Sequence, residues 1–467
     1  MGGIGLEFKR LQEKPSYLTA ARVFGYSLAM SVGPWLATIF AVGFVSLIGI
    51  RLNKYPDMTF FTTTVMYVFA GSLVATGPFF MIFSRYLADL SFKGRPDQRR
   101  ALLFVEAVAV GCGLLGGFLA ACYFTPASMG NSLVYRLAIA VLTASLIGLW
   151  CVLAYLDAQK RFASSFYVFV MGCFVSIALA YGLRGYGLDG LLAGYTAGML
   201  SAFVVLFGLA LRKPDGAGVE APFRARDLLS YVSGFAILGW IGLLYNLGTW
   251  IDKFYLWIAV GDTVAGTRFR IFQPYDIATF LSYLIMMPAI SYFLVMVETE
   301  FYGDYRSYID HLETSPLQVV EERRDVLWKN LKRRMNNLFE LEIVIAVLGF
   351  FLGSFALRRL GMNESTVRIF QILIGAAFCQ VLFWIHLILL LYFEFRFRAL
   401  LTTLLFVGLN LAFTLGNDVY FRNWGYGWGY FAAIALSTIV SWMTLRQGLR
   451  GLSRHIFFVN SAVPAGR

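Results

Sequence analysis

The chain has 467 residues, of which 59% are apolar and only 14% carry a charge. A typical soluble domain is roughly 45–50% apolar and about 25% charged, so the excess of apolar residues must face lipid. Five cysteines in so long a chain exclude a disulfide-rich scaffold. Three histidines and no cysteine pairs at ligand spacing make a metal site unexpected, and no cofactor is expected.

Long apolar stretches divide the chain into membrane spans, because a helix that crosses a hydrocarbon core of about 30 Å needs about 20 residues. Twelve stretches are long and free of Asp, Glu, Lys and Arg, and Ile343–Leu357 is the shortest. In chain order they are Val23–Ile50, Met58–Ser84, Ala107–Tyr135 (which begins near Ala101), Leu137–Leu156, Phe162–Leu183, Gly190–Leu211, Leu228–Ile251, Ile277–Val297, Ile343–Leu357, Ile369–Phe393, Ala399–Asn417 and Asn423–Leu445.

The basic residues predict the orientation, because Lys and Arg concentrate in the cytoplasmic loops of membrane proteins. With a cytoplasmic N-terminus, 28 of the 39 basic residues fall in inside segments. Both termini are then cytoplasmic, and the net charge of +12 is mainly a topology signal, with anionic lipid headgroups as its partner. No domain is left that would bind nucleic acid.

A change of composition separates two halves of six spans each. Residues 212–227 contain two prolines, two glycines and alternating charges, which are typical of a linker. We expect residues 1–211 to form an N-terminal six-helix lobe, residues 212–227 a cytoplasmic linker, and residues 228–467 a C-terminal six-helix lobe. The predicted fold is therefore an all-α integral membrane protein with twelve transmembrane helices in two lobes.

Two landmarks recur between the halves. Gly25 and Gly33 are repeated as Gly234 and Gly242 at an offset of 209 residues, and Pro78 and Pro288 are offset by 210. The pattern indicates an internal duplication, which is a common plan among transporters. Because six spans is an even number, the two copies share one orientation.

The long loop 298–340 contains a predicted amphipathic helix at Val319–Phe339, where apolar residues are spaced by three, four and seven. The segment either lies in the headgroup layer, with basic side chains at lipid phosphates, or docks a cytoplasmic partner. The basic candidates for both roles are Lys329, Lys332, Arg333 and Arg334.

Glycines are spaced by four residues inside two spans, a pattern that lets helix backbones approach closely. We expect this packing to occur within a lobe rather than between two copies of the chain. The glycines concerned are Gly113 and Gly117 in the third span, and Gly190, Gly194 and Gly198 in the sixth.

Polar residues inside the spans are the site candidates, because a charge at mid-membrane costs about 2.5–3.5 kcal/mol and usually faces a cavity or a partner. Arg22, Glu106 and Asp157 lie near the inner ends of the first four spans, where they either line the mouth of a cavity or serve as interfacial anchors and ion pairs. His386 lies well inside the tenth span, where it is either functional or a neutral histidine bonded to a neighbouring helix.

On the outer side, acidic residues adjoin aromatic ones: Asp252 follows Trp250, and Asp276 follows Tyr275. Aromatic faces stack on sugar rings and carboxylates bind amines, whereas the alternative is an ordinary interfacial aromatic belt. The polar mid-span residues Asn246 and Asn410 either line the same route or bond between helices.

No P-loop, G-x-S-x-G or H-E-x-x-H motif occurs, so the sequence favours a protein that is not an enzyme.

The N-terminal segment GIGLEFKRL, followed by SYLTAARVFGYSLAMSVGPWL, resembles the PelG family of inner-membrane exopolysaccharide exporters. The segments Thr76–Leu90 and Tyr392–Arg396 (YFEFR) also resemble that family. The shared N-terminal positions include Gly3, Ile4, Gly5, Glu7, Tyr17, Gly25, Tyr26, Gly33, Pro34 and Trp35.

This resemblance implies the twelve-helix, two-lobe fold of polysaccharide flippases and multidrug (MATE) extruders. It also implies export of a cationic, partly deacetylated polymer of N-acetylgalactosamine and N-acetylglucosamine. The implied partners are a cytoplasmic glycosyltransferase and a cyclic-di-GMP-binding membrane subunit. An ion-coupled flippase for small molecules or lipid-linked oligosaccharides is the main alternative, and a membrane enzyme or a scaffold for the synthase are two others.

Overall fold

A computed structural model describes residues 17–52, 58–92, 98–125, 132–159, 161–212, 223–297, 301–421 and 425–453, without most side chains of residues 17–32. The two termini, the N-terminal motif GIGLEFKRL and residues 213–222 of the predicted linker lie outside these ranges. The side chain of Arg22 also lies outside them.

Within these ranges the chain is almost entirely helical, with one short β-hairpin. The helices are α1 (Tyr17–Leu52), α2 (Thr59–Phe92), α3 (Arg99–Phe124), α4 (Leu133–Ala158), α5 (Phe162–Leu183), α6 (Gly187–Leu211), α7 (Ala225–Gly234), α8 (Ala236–Ala259), α9 (Gln273–Met296), α10 (Tyr302–Thr314), α11 (Leu317–Arg359), α12 (Glu364–Tyr392), α13 (Arg396–Tyr420) and α14 (Trp428–Arg450). The hairpin strands are β1 (Asp262–Thr263) and β2 (Arg270–Ile271), and a 3₁₀ turn, Arg184–Tyr186, joins α5 to α6.

Nine helical runs of the described chain are long and apolar enough to cross a membrane, or ten if α7 and α8, which meet at 69°, form one span. One run, Ala163–Leu211, consists of α5 and α6, which pack against each other. The described part of α1 adds the shorter apolar stretch Leu36–Leu52. With α5 and α6 counted separately and α1 included, each of the twelve predicted spans corresponds to a helix or to the bent pair.

Two predicted boundaries differ from the helices observed. The third span ends at Phe124 rather than at Tyr135, and the next helix begins at Leu133. The break follows from local sequence, because Pro126 and Gly130 disfavour a helix and the Ser132 hydroxyl accepts a hydrogen bond from the Tyr135 amide at 3.1 Å.

The predicted amphipathic segment is the first part of α11, which continues without a break into the ninth span. The sequence has no proline or glycine between Leu317 and Gly349 that would separate the two parts. A helix of 43 residues is about 65 Å long, so it extends well beyond a hydrocarbon core of about 30 Å. The segment is therefore not a separate interfacial helix.

Contacts divide the described chain into two compact units. The first runs from Val32 to Phe272, and the second holds the residues from Gln273 onward with the part of α1 before Val32. Since α8 packs along α2, the helices α7 and α8 and the hairpin belong to the first unit. This boundary lies after the linker predicted at residues 212–227, and the predicted lobe boundaries stay a prediction.

The order of packing inside the two units is the same. In the first unit α4 packs against α2, α3 and α6, and α6 packs against α5. In the second unit α12 packs against α9, α11 and α14, and α14 packs against α13. The fourth span of each half thus contacts the second, third and sixth, as an internal duplication would produce.

Small residues allow these close contacts, and the predicted packing within a unit is confirmed. A Cβ atom on Gly113 would lie 2.8 Å from the Cα of Ala144, and one on Gly194 would lie 2.5 Å from the Cα of Ala180. A Cβ on Gly198 would overlap the backbone of Ser176. The pairs α3–α4 and α5–α6 therefore approach with backbone against backbone.

Candidate functional site

The outer-side candidates of the first unit lie on α8. Asp252 is fully buried, and its carboxylate forms an ion pair with the neighbouring Lys253 at 3.4 Å. The Lys253 ammonium also donates to the Thr249 carbonyl at 2.8 Å and lies 5.6 Å from the centroid of the half-buried Trp250 ring. Because its charge is already balanced inside the protein, Asp252 is not an open site for a substrate amine.

Asn246 lies where α8 crosses α2 at two glycines. A Cβ on Gly77 would lie 2.5 Å from the Asn246 amide nitrogen and 2.7 Å from the Gly242 carbonyl oxygen. Only glycine permits this approach of the two backbones. Asn246 is therefore a residue of the α2–α8 interface.

An aromatic cluster holds the hairpin against the ends of α2, α3 and α8. The ring of the buried Phe269 stacks on Phe124 with centroids 4.7 Å apart, and Tyr67 stacks on Trp257 at 4.5 Å. The Tyr67 hydroxyl donates to the Arg270 carbonyl at 2.7 Å, and the Arg268 amide donates to the Phe124 carbonyl at 2.8 Å. Sequence reasoning missed this cluster, whose members are up to 203 positions apart.

The two inner acidic candidates of the first unit differ in burial. Glu106 is 3% exposed on α3, and both carboxyl oxygens lack a hydrogen-bond partner among the described residues. Asp157 is half-buried in the last turn of α4, where its carbonyl caps the helix by accepting from the Gln159 amide. Both lie toward the same end of the antiparallel α3–α4 pair.

Most candidates of the second unit have partners. The His386 Nδ1 atom lies 2.9 Å from the Ser441 hydroxyl, and its ring packs 5.3 Å from that of Trp442. Asn410 is fully buried and accepts a hydrogen bond from Thr414 at 3.0 Å. His386 thus bonds to a neighbouring helix, α14.

Tyr275 and Asp276 begin α9. Tyr275 is 1% exposed, and its carbonyl accepts from the Thr279 hydroxyl at 2.8 Å. Asp276 is half-buried in the first turn of the helix, where the positive end of the helix dipole favours a carboxylate.

A polar chain inside the second unit was missed as a site. The Tyr283 and Tyr430 hydroxyls are 2.6 Å apart, and Tyr430 donates to the Gln380 side-chain carbonyl at 2.9 Å. These three residues come from α9, α14 and α12. No spacing in the sequence indicates their meeting, because they belong to different spans.

The second buried glutamate, Glu342, was also missed. It is fully buried on α11, and neither of its carboxyl oxygens has a hydrogen-bond partner in the described part of the chain. The signal that identifies it is a shared spacing. Glu106, Gly113 and Gly117 recur as Glu342, Gly349 and Gly353, all at an offset of 236 residues.

The basic residues of α11 do not form one uniform surface. Lys329, Lys332 and Arg333 are exposed, whereas Arg334 is buried and pairs with Asp304 of α10 at 2.8 Å. Also on α10, burial raises the pKa of Tyr308, whose hydroxyl lies 3.2 Å from that of Ser453. Arg334 therefore fixes α10 on α11, and three cations remain for a partner or for lipid.

Metal ligands are not clustered within the described ranges, where no three His, Cys, Asp or Glu side chains could hold an ion together. The five cysteines all lie within the described ranges, and each is a free thiol.

The fold is similar to that of solved MATE transporters. It matches a multidrug resistance MATE family transporter of the MOP superfamily, in an outward-facing conformation, with a TM-score of 0.59 and 14% identity over 97% of this chain and 99% of that one. A MOP superfamily transporter from Pyrococcus furiosus matches with a TM-score of 0.56 and 16% identity, over 97% of this chain and 99% of that one. A single-substitution variant of a Vibrio cholerae MATE transporter matches with a TM-score of 0.60 and 12% identity, over 96% of this chain and 98% of that one.

None of the curated proteins matches the chain. The family model of the exopolysaccharide exporters (EPS-E), named PelG, matches residues 1–457. The predicted resemblance is confirmed, and the protein is a multi-pass membrane transporter rather than an enzyme. A match over nearly the whole length means that the chain belongs to the PelG exopolysaccharide exporter family.

Proposed function

We propose that the protein exports a cationic, partly deacetylated amino-sugar polymer across the bacterial inner membrane. The observation that carries the proposal is the family match over residues 1–457, joined to the fold of a two-lobe transporter. Half-buried acidic groups and aromatic rings, such as Asp276 and Trp250, support a weak and repeated contact with the amines and sugar rings of the polymer. Strong single sites would stall a moving polymer.

The experiment compares a deletion strain with strains that express single variants. We expect Asp276→Asn and Trp250→Ala to lower the polymer secreted per exporter in the membrane, because each removes a contact with a charged or apolar part of the polymer. The control is Glu364→Gln, since Glu364 is an exposed carboxylate that pairs with Arg358. Normal secretion by both path variants contradicts the proposed lining, and normal secretion by the deletion strain contradicts the function.

A second candidate function is ion-coupled extrusion of small molecules, which is favoured by the fold shared with a multidrug resistance transporter. It predicts that the deletion strain becomes sensitive to cationic drugs while its polymer output is unchanged. The same two strains therefore distinguish the two candidates.

The exposed cations Lys329, Lys332 and Arg333 support docking of a cytoplasmic glycosyltransferase, in a complex with a cyclic-di-GMP-binding membrane subunit. They lie on a part of α11 that extends past the predicted membrane boundary and is braced by α10 through Arg334. Reversal of the three charges to Glu should reduce recovery of the glycosyltransferase with the tagged exporter. If the glycosyltransferase is recovered in unchanged amount and the exporter keeps its orientation in the membrane, these residues act only at lipid headgroups.

A further inference from the structure

The third helix of each half carries a glutamate in the same structural position. Glu106 on α3 lies 18 residues before the end of the helix at Phe124, and Glu342 on α11 lies 17 residues before the end at Arg359. At 1.5 Å per residue, both carboxyl groups are about 26 Å from that end. The two glutamates therefore occupy equivalent positions along their own helices, toward the ends that the charge pattern predicts to be cytoplasmic.

The packing around the two glutamates is also repeated. Seven residues after Glu106, a Cβ atom on Gly113 would meet Ala144 of α4. Seven residues after Glu342, a Cβ atom on Gly349 would meet the side chain of Ile374 of α12. A thiol of that neighbouring helix lies near each glutamate. The thiols belong to Cys151 and Cys379.

Neither carboxyl group is balanced by a charge of the residues that the structure describes. Helix α7 also contacts α3, and α9 and α10 also contact α11, but no charged side chain of these described elements acts on Glu106 or Glu342. The acidic group of α10 that faces α11, Asp304, pairs with Arg334 instead. An unpaired carboxylate in such surroundings is costly, and the cost disappears once a proton binds and makes the group neutral.

A proton fits this environment better than the other cations of a cell. A sodium ion needs several oxygen ligands. Among the described residues, no hydroxyl or amide forms a hydrogen bond with these carboxyl groups, and no cluster of three acidic, histidine or cysteine side chains includes them. A polymer amine would need an opening, whereas Glu106 is 3% exposed and Glu342 is fully buried. A proton requires neither a ligand shell nor space.

We propose that Glu106 and Glu342 are a repeat-related pair of proton-binding sites, one in each half of the exporter, whose loading controls the packing of the third helix on the fourth. With the proton bound, the carboxylic acid is neutral and stays buried. Release of the proton to water leaves a carboxylate that must be hydrated, so the α3–α4 and α11–α12 contacts have to open. Only O–H bonds form and break. This inference deepens the proposed function, since it names the ion that would drive export.

The test uses the purified full-length protein and infrared spectroscopy at neutral pH. Ordinary carboxyl groups are ionised there, so the protonated-carboxyl band reports perturbed acids. We expect Glu106→Gln and Glu342→Gln each to remove part of that band, and the double variant to remove both parts. Glu321→Gln, which removes an exposed carboxylate of α11, should leave the band unchanged. A band of wild-type size in the double variant overturns the proposal.

Two further measurements complete the test. If a Gln variant does not accumulate, Glu106→Asp and Glu342→Asp keep the carboxyl group and should retain a shifted band, and loss of the band there contradicts the assignment. If the protonated-carboxyl band disappears when potassium is replaced by sodium, the sites bind sodium, and this result also overturns the proposal. In cells, secretion of the polymer at the wild-type level by the double Gln variant would contradict control of export by these two glutamates. A deletion strain that secretes a normal amount of polymer would contradict only the proposed function.

Discussion

Burial of a polar group in this protein does not by itself indicate function. His386, Asp252 and Asn410 are all buried, but each is joined to a partner of its own unit, and these partners account for its presence. Glu106 and Glu342 are as deeply buried and have no such partner in the described chain. The unsatisfied groups are thus more informative than the merely buried ones.

Close helix contacts depend on single glycines, and Gly198 is the sharpest case. We expect Gly198→Ala to lower the free energy of unfolding by about 1–3 kcal/mol, because the added Cβ would overlap the backbone of Ser176, which cannot move aside like a flexible side chain. Gly208→Ala in the same helix is the matched control, since a Cβ there meets nothing within 4 Å. Thermal unfolding of the two purified variants checks the difference, and equal midpoints would contradict it.

Elements in this protein are joined by contacts that hydropathy does not reveal. The hairpin β1–β2 has two paired residues per strand and is held by Phe269, whose ring is 2% exposed. Two strands of this length are not stable alone, so their structure depends on the aromatic cluster.

Removal of the Phe269 ring should therefore release the hairpin. For Phe269→Ala we expect a local loss of about 3–5 kcal/mol and faster amide hydrogen exchange at residues 262–271, with little change in α5 and α6. Thr263→Ala, at an exposed position of β1, serves as the control. Exchange rates in the hairpin that match those of the wild type would show that the cluster does not hold it.

The spans and the candidate residues were predictable to different degrees. Helices were found from apolar length, and the fifth span was predicted with its observed ends, Phe162 and Leu183. The end of the third span was missed because apolar composition continues past Phe124 into the next helix. Partners such as Ser441 for His386 lie 55 residues away, and no local pattern encodes such a contact.

At the scale of the whole molecule, the main expectation that rests on sequence is the orientation in the membrane. We expect Ala265→Cys, at the exposed tip of the hairpin, to react with a membrane-impermeant maleimide in intact spheroplasts when introduced into a cysteine-free chain. Lys329→Cys on α11 should react only after the membrane is permeabilised, because the loops rich in Lys and Arg stay inside. The reverse pattern of labelling would mean that both termini are outside.

The repeated glutamates also show where the two halves of the chain differ in length. Equivalent positions are 210 residues apart at Pro78 and Pro288 but 236 apart at Glu106 and Glu342, so the second half has 26 more residues between its second and third spans. Helix α10 and the charged start of α11 occupy that stretch. An internal duplication followed by an insertion into the second half, or by a deletion from the first, would produce this difference. We therefore expect relatives of this exporter to differ in length at this segment.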